Sequence, residues 1–437
     1  MTIWSVAVYL VLPFAILNLF WRGIRYPAYW SRWPERFGYL ESMRDQPVIW
    51  VHAVSVGEVR SSAVLIDELR SCFPGHRILV TTMTPTGSEQ VKELFGSCVS
   101  HAYVPYDLPG SVCRFMSRVS PEFAVIAETE FWPYLFKACR DRKIPLFLIN
   151  VRLSQQSFRR YLRVSRTARV MLERATLICA QTHSDKRRLK SLGVKKSLIK
   201  VTGNLKFDLP LSDKLLAESR ELRQQWGINR PILIAASTHR GEERKVLSAF
   251  GELRRTYKDL LLVLVPRHPE RFRAVARLCR RTGACVALRT TQHGALPVRT
   301  DILVGDTMGE LQRLYAAADL AFVGGSLVGV GGHNLLEPCA VGVPVIFGPH
   351  VFHFEDISRM ILEKGAGSQI YDASGLADSV SLYLEQSALR AAASEAARLL
   401  ILENRGAVAR TLQFISESTR WTDLKAGATE PVPALQD

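Results

Sequence analysis

Short apolar runs rich in β-branched residues recur along the first half of the chain: PVIWVHAV (47–54), HRILVTT (76–82), HAYVPYD (101–107), EFAVIAE (122–128), PLFLINV (145–151) and LICAQT (177–182). Longer amphipathic stretches separate them. A strand with one wet face alternates apolar and polar residues, whereas these runs are nearly continuous, the pattern of strands buried on both faces. They predict a parallel sheet covered by helices and closing near Asp208. A polar, helix-forming link, SDKLLAESRELRQQWG (212–227), follows. The alternation then restarts with PILIAAS (231–237), LLLVLVP (260–266), ACVAL (284–288), DILVGD (301–306), LAFVGG (320–325) and VPVIFG (343–348). The chain therefore reads as two α/β domains, residues 45–211 and 212–420. A distinct segment (1–44) precedes them, and an Ala-, Pro- and Gly-rich tail (421–437), expected to fray, follows. Open parallel sheets bind ligands beyond the carboxyl ends of their strands, so the two domains are expected to face a common cleft.

The opening segment breaks this pattern. Residues 3–21, IWSVAVYLVLPFAILNLFW, carry no charge, and as a helix they would reach about 28 Å, enough for one bilayer crossing. Arg22, Arg25, Arg32 and Arg36 follow, interleaved with Trp21, Tyr26, Tyr29, Trp30 and Trp33, the mixture expected at a headgroup boundary. A membrane-associated helix is predicted, with the positive flank keeping the body of the protein cytoplasmic. Whether the helix spans the bilayer, lies in its interface or packs on the core with a kink at Pro13 stays open at this level. A cleaved signal peptide is disfavoured, because no basic region precedes the apolar stretch and no small-residue cleavage site follows it.

Composition narrows the classes. The 437 residues include 57 Lys and Arg against 41 Asp and Glu, a net charge of +16, yet only 22% are charged and 47% are hydrophobic, which excludes a disordered polyelectrolyte. Eight cysteines without a CxxC pair fit a reduced compartment. The charge is concentrated: residues 151–200 hold fourteen Lys and Arg against Glu173 and Asp185 alone. One cluster runs from Arg152 to Arg169, the other from Lys186 to Lys200. A solvated helix face ordinarily mixes in acids, so an anionic partner is indicated. Aromatic residues are sparse there and no nucleic-acid module is present, which points away from nucleic acid and toward anionic membrane lipids or a phosphorylated lipid. Neither HExxH nor Asp-x-Asp occurs, so no metal and no resident cofactor are expected, and protein groups would have to neutralise phosphate charge.

Candidate chemistry falls on the loops after the predicted strands. HAVSVGEV (52–59) places Glu58 at a helix start, where partial positive charge would keep a carboxylate ionised as a proton acceptor; the same Glu could equally serve only to stabilise its own helix. AETEFWP (127–133) offers Glu128 and Glu130 ahead of a helix beginning near Pro133, as site carboxylates or as capping groups. VTGNLKFD puts Lys206 at the end of the first domain's last strand, where an ammonium could stabilise developing phosphate charge. In the second domain FVGGSLVGVGGHNLLEP (322–338) reads as a glycine-lined phosphate cradle before a helix beginning near Asn334, with Glu337 able to accept from ribose hydroxyls. It is neither GxGxxG nor GxxxxGKS, so a dinucleotide or Walker site is not supported. Ser237 to His239, Arg267 with His268, and Thr307 to Glu310 stand on neighbouring loops.

This ordered set, together with NVRLSQQSF, VPRHPERF, DTMGELQRLYAAADLAFVGG and GGHNLLEPCAVGVPVIFGP, resembles the membrane-associated 3-deoxy-D-manno-octulosonic acid (Kdo) transferases of Gram-negative bacteria from about Arg22 to about Thr419. The resemblance implies two Rossmann-like domains facing a cleft, the glycosyltransferase B fold. It also implies transfer of Kdo from CMP-Kdo to a tetraacylated, bisphosphorylated lipid A precursor in lipopolysaccharide assembly. It makes Glu58 the catalytic base and Glu128 and Lys206 the stabilisers of the transition state. Donor contacts would come from Arg267, His268, Met308, Gly309, Glu310, Asn334, Leu335, Leu336 and Glu337. Attack opposite the departing CMP implies inversion at the anomeric carbon. Other readings are a UDP-sugar transferase or epimerase of similar architecture, or a membrane-tethered binding protein for anionic polymers.

Overall fold

The computed structural model describes residues 13–14, 17, 19–24, 26–130, 132–292 and 294–419. The 3–21 segment falls largely outside these residues and the 421–437 tail wholly outside. Among the described residues, no helix is long and apolar enough to cross a membrane.

The first unit takes the described residues up to Asp208 together with those from Arg405 onward; the second is Leu209–Asn404. In the first, β1 (Val48–His52), β2 (Arg77–Thr82), β3 (Ser100–Tyr103), β4 (Phe123–Ala127), β5 (Leu146–Val151), β6 (Leu177–Ala180) and β7 (Ile199–Val201) form a sheet in the order β3-β2-β1-β4-β5-β6-β7. Every pairing is parallel. β1, β4 and β5 are buried along their whole length, which is why their sequence shows no polar alternation. One face packs on a core around Trp50, Phe115 and Phe136, the other on a core around Ile49, Leu65 and Phe123.

The helices between strands start where the side chains dictate. Ser55 caps the helix Val56–Cys72, Thr84 caps Pro85–Phe95, and Thr182 forms a reciprocal capping box with Asp185 on His183–Ser191. The helix after β4 begins at Pro133, whose fixed φ suits a first turn.

The second unit repeats the plan with β8 (Ile232–Thr238), β9 (Leu261–Pro266), β10 (Val286–Leu288), β11 (Ile302–Val304), β12 (Leu320–Val323), β13 (Val345–Phe347) and β14 (Gly367–Gln369), in the order β10-β11-β9-β8-β12-β13-β14. Its pairings are also parallel. The 212–227 link is a helix, Asp213–Trp226, whose Leu222 and Trp226 are buried.

The chain's last described helix, Ala407–Ser418, departs from the sequence reading, which carried the second domain through to residue 420. It returns to the first unit: Ala407, Val408 and Ile415 join the core of Ile49 and Leu65. Both carboxylate oxygens of Asp208 accept from its first turn, from Gly406 N at 2.6 Å and Val408 N at 2.5 Å. An acid at the positive end of a helix is well placed to fix that return.

Candidate active site

Each sheet has a central point where the strand order turns from descending to ascending, and ligands of open α/β sheets bind at such points. In the first unit the reversal falls between β1 and β4, whose following loops carry Glu58 and Glu128. In the second it falls between β8 and β12, followed by His239 and by the glycine-rich run.

Glu58 lies in the first turn of Val56–Cys72 and is only 7% exposed. Its Oε2 accepts from Val54 N at 2.7 Å and its Oε1 from Ser55 Oγ at 3.0 Å. These bonds and the helix end favour the ionised form, as the sequence suggests, but burial outweighs them. With the added charge of Glu128, burial pushes the carboxyl up to about 7. Rather than being held firmly ionised, the group is balanced between its two forms near neutral pH.

Glu128 follows β4 with φ +60°, a left-handed conformation that costs a non-glycine residue on the order of 1 kcal/mol. Its N–H still donates to Ile149 O at 2.8 Å, so the sheet fixes the turn. Glu130 is raised as well, by burial and then by Glu128.

Lys206 sits in the single turn Leu205–Phe207, anchored by the buried side chains on either side of it. Leu205 shares a core with Val59, the residue after Glu58. Asn150 fixes the turn: also left-handed at φ +53°, it accepts from Leu205 N at 3.1 Å through Oδ1 and from Gln181 Nε2 at 2.9 Å through its carbonyl. The sequence gives no sign of this role beyond the position of Asn150 at a strand end. Glu58, Glu128 and Lys206 thus all lie in the first unit, and the two carboxylates are close enough to couple electrostatically.

His52, in the same motif as Glu58, has a different part. It is fully buried, its Nδ1 lies 2.9 Å from Thr81 Oγ1, and burial pulls it down to about 4. It stays neutral and packs edge-on to Trp132.

In the second unit Arg267 is placed by its own N–H donating to Thr238 O at 3.0 Å. The His268 ring stands edge-on to His239 with centroids 5.2 Å apart. His239 in turn meets His333 of the glycine-rich run, Nε2 to Nε2 at 2.8 Å with the rings 5° from parallel, so one proton lies between them. Burial, His268 and two arginines lower His239.

Met308 is half exposed, and Gly309 adopts φ +81°. The Glu310 carboxylate is committed to Arg289 at 2.9 Å and Arg313 at 2.5 Å. Leu335 and Leu336 are completely buried, which leaves only their backbone to meet a ligand. Asn334 Nδ2 donates to Glu337 Oε1 at 3.1 Å, and its Oδ1 accepts from Leu336 N.

Two features of the cradle differ from the sequence reading. The helix after it, Leu336–Ala340, has only five residues, too few to build the dipole of a long helix. The N–H groups ending β12 are also not free for a ligand, because a buried carboxylate occupies them. Glu242 accepts from Gly325 N (2.7 Å), Ser326 N (3.0 Å) and Leu327 N (2.9 Å), and from His239 N (2.9 Å). Gly324 is required for a separate reason: a Cβ there would lie 2.6 Å from Ser237 O. The glycines thus bring the ends of β8 and β12 together, and Glu242 ties them.

The family model described as 3-deoxy-D-manno-octulosonic-acid transferase (kdotransferase) matches residues 31–209. A 3-deoxy-D-manno-octulosonic acid transferase of Haemophilus influenzae is 41% identical over 90% of this chain and 92% of its own length. One of Bordetella pertussis is 36% identical over 93% and 96%, and one of Aquifex aeolicus 31% identical over 77% and 86%. Among solved structures, UDP-GlcNAc 2-epimerase from Neisseria meningitidis bound to UDP-GlcNAc aligns with a TM-score of 0.55 over 85% of this chain and 99% of its own, at 14% identity. That likeness carries the fold alone: two parallel-sheet α/β domains of the glycosyltransferase B type. With identity of this extent running through both units, the chain belongs to the 3-deoxy-D-manno-octulosonic acid transferase family of glycosyltransferases.

Proposed function

We propose that this protein transfers Kdo from CMP-Kdo to a lipid A precursor, with inversion, and that Glu58 takes the proton from the attacking hydroxyl. The observation that carries this reading is the Glu58 carboxyl itself, buried at the switch point, coupled to Glu128 and raised to about 7. A general base works best when its pKa lies near the working pH. Departure of CMP leaves negative charge on phosphate, which Lys206 and Arg267 would stabilise without a metal ion. Met308 to Glu310 and Asn334 to Glu337 would hold the nucleotide, the latter through the Asn334–Glu337 pair and the backbone of the buried leucines.

The membrane reading draws on two surfaces. The described part of the opening segment is helical and leaves Phe14, Leu17, Phe20 and Trp21 between 52% and 73% exposed, an arrangement suited to an apolar medium. The helices Gln155–Leu162 and Ser165–Leu172 present Arg159, Arg160, Arg163, Arg166 and Arg169 at the surface alongside exposed Leu162, Val164 and Val170. Cations mixed with apolar tips suit an anionic lipid surface and an acceptor carrying phosphates and acyl chains. Together they would hold the enzyme at the cytoplasmic face of the inner membrane.

The reading is tested by incubating the full chain with CMP-Kdo and the tetraacylated precursor in excess EDTA. CMP release and a lipid mass gain of one or more Kdo residues are expected. Turnover of a UDP-sugar in place of CMP-Kdo would favour the epimerase-like alternative, and binding of the lipid without turnover of either donor would leave a tethered binding protein.

A further inference from the structure

A groove of about 420 Å3 in the second unit lies between the start of the helix Glu242–Thr256 and the helix Phe272–Arg280. None of the residues matched to donor contacts lines it. Five arginines do: Arg240, Arg244, Arg271, Arg277 and Arg281. The one acid in the lining, Glu243, is committed to Arg271 at 2.5 Å. The other four guanidinium groups are exposed and have no carboxylate in ion-pair range among the described residues.

These four fall into two pairs, each spaced by four residues, so like charges repel within each pair and across the groove. Arg277 and Arg281 lie near a helix carboxyl end, where the dipole accommodates cations. Arg240 and Arg244 flank a helix start, where the dipole opposes them. Helix stability therefore does not account for the second pair. Ala274, Val275 and Leu278 complete the lining and offer no counter-charge.

We propose that this groove binds a ligand carrying two or more phosphate groups. Guanidinium forks match phosphate oxygens two at a time, and four uncompensated charges exceed what one monoester would neutralise. The same chemistry is offered by a membrane lipid headgroup and by a soluble oligophosphate. The inference does not depend on which sugar the enzyme moves.

The test uses the full chain and a variant combining Arg244→Gln, Arg277→Gln and Arg281→Gln, all surface changes, with thermal melting to verify folding. Calorimetric titration with inorganic tripolyphosphate in saturating CMP probes the soluble source. Flotation with vesicles of phosphatidylcholine containing cardiolipin probes the lipid source. A loss of affinity of about tenfold or more in the variant is expected in at least one arm, and the arm that responds identifies the source. Equal binding by wild type and variant in both arms would overturn the proposal. So would tripolyphosphate binding seen without CMP but absent in saturating CMP, with no loss in the vesicle arm, since the phosphate site would then be the donor site.

Discussion

Glu58 carries opposing demands. A carboxyl raised from 4.5 to about 7 is protonated in the folded protein over a range where the unfolded chain has already lost the proton. Stability is therefore full below about pH 4.5 and declines as pH rises through 7, by an amount on the order of 3 kcal/mol. Activity is expected to have the opposite slope if Glu58 is the base, since a base acts only when ionised. Glu58→Gln should therefore raise the melting temperature at pH 8 and leave it nearly unchanged at pH 4.5, as read by calorimetry. Equal shifts at both pH values would show that the carboxyl is not raised. The position of Glu58 is legible in the sequence as an acid in the first helical turn after a buried strand. Its pKa is not, because burial and the charge of Glu128 come from packing and from a loop 70 residues away in the chain.

Among the elements, the glycine-rich run is the clearest signal in the sequence and the one most changed by the structure. Its glycines do end a strand at a switch point, but Glu242 consumes the N–H groups that seemed offered to phosphate. That pairing joins residues 83 to 85 positions apart, and a Glu in a helix's first turn reads as a local capping residue. Replacing Glu242 by Ala should orphan three buried N–H donors and a half-buried fourth, and cost on the order of 3 kcal/mol or more in denaturant unfolding. It should also weaken CMP binding as the loop loosens; an unchanged unfolding midpoint would contradict this role. The strands were legible because burial on both faces leaves continuous apolar runs. The short edge strand β14 and the return of Ala407–Ser418 to the first unit were not. An amphipathic helix states which face it buries but not against which core, and here the address is written by Asp208, 198 positions before Gly406.

For the whole molecule, the uneven charge matters more than its total. The arginines of Gln155–Leu162 and Ser165–Leu172 are exposed in the structure, and two internal pairs, Arg169 with Glu173 and Arg188 with Asp185, offset only a fraction of the surplus. Attraction to anionic lipid should be screened by salt, while insertion of the opening segment should not. Deleting residues 1–21 should therefore convert salt-resistant sedimentation with membranes into sedimentation lost at about 0.5 M salt. Retention of the deleted chain at high salt would assign anchoring to a different surface.

The central claim is that one carboxylate removes the acceptor proton. It is tested most directly by comparing wild type with Glu58→Gln, measuring Kdo transfer to the lipid precursor by mass spectrometry and CMP affinity by titration. Loss of transfer by at least about a hundredfold with CMP affinity unchanged is expected. Transfer within a few-fold of wild type would contradict it.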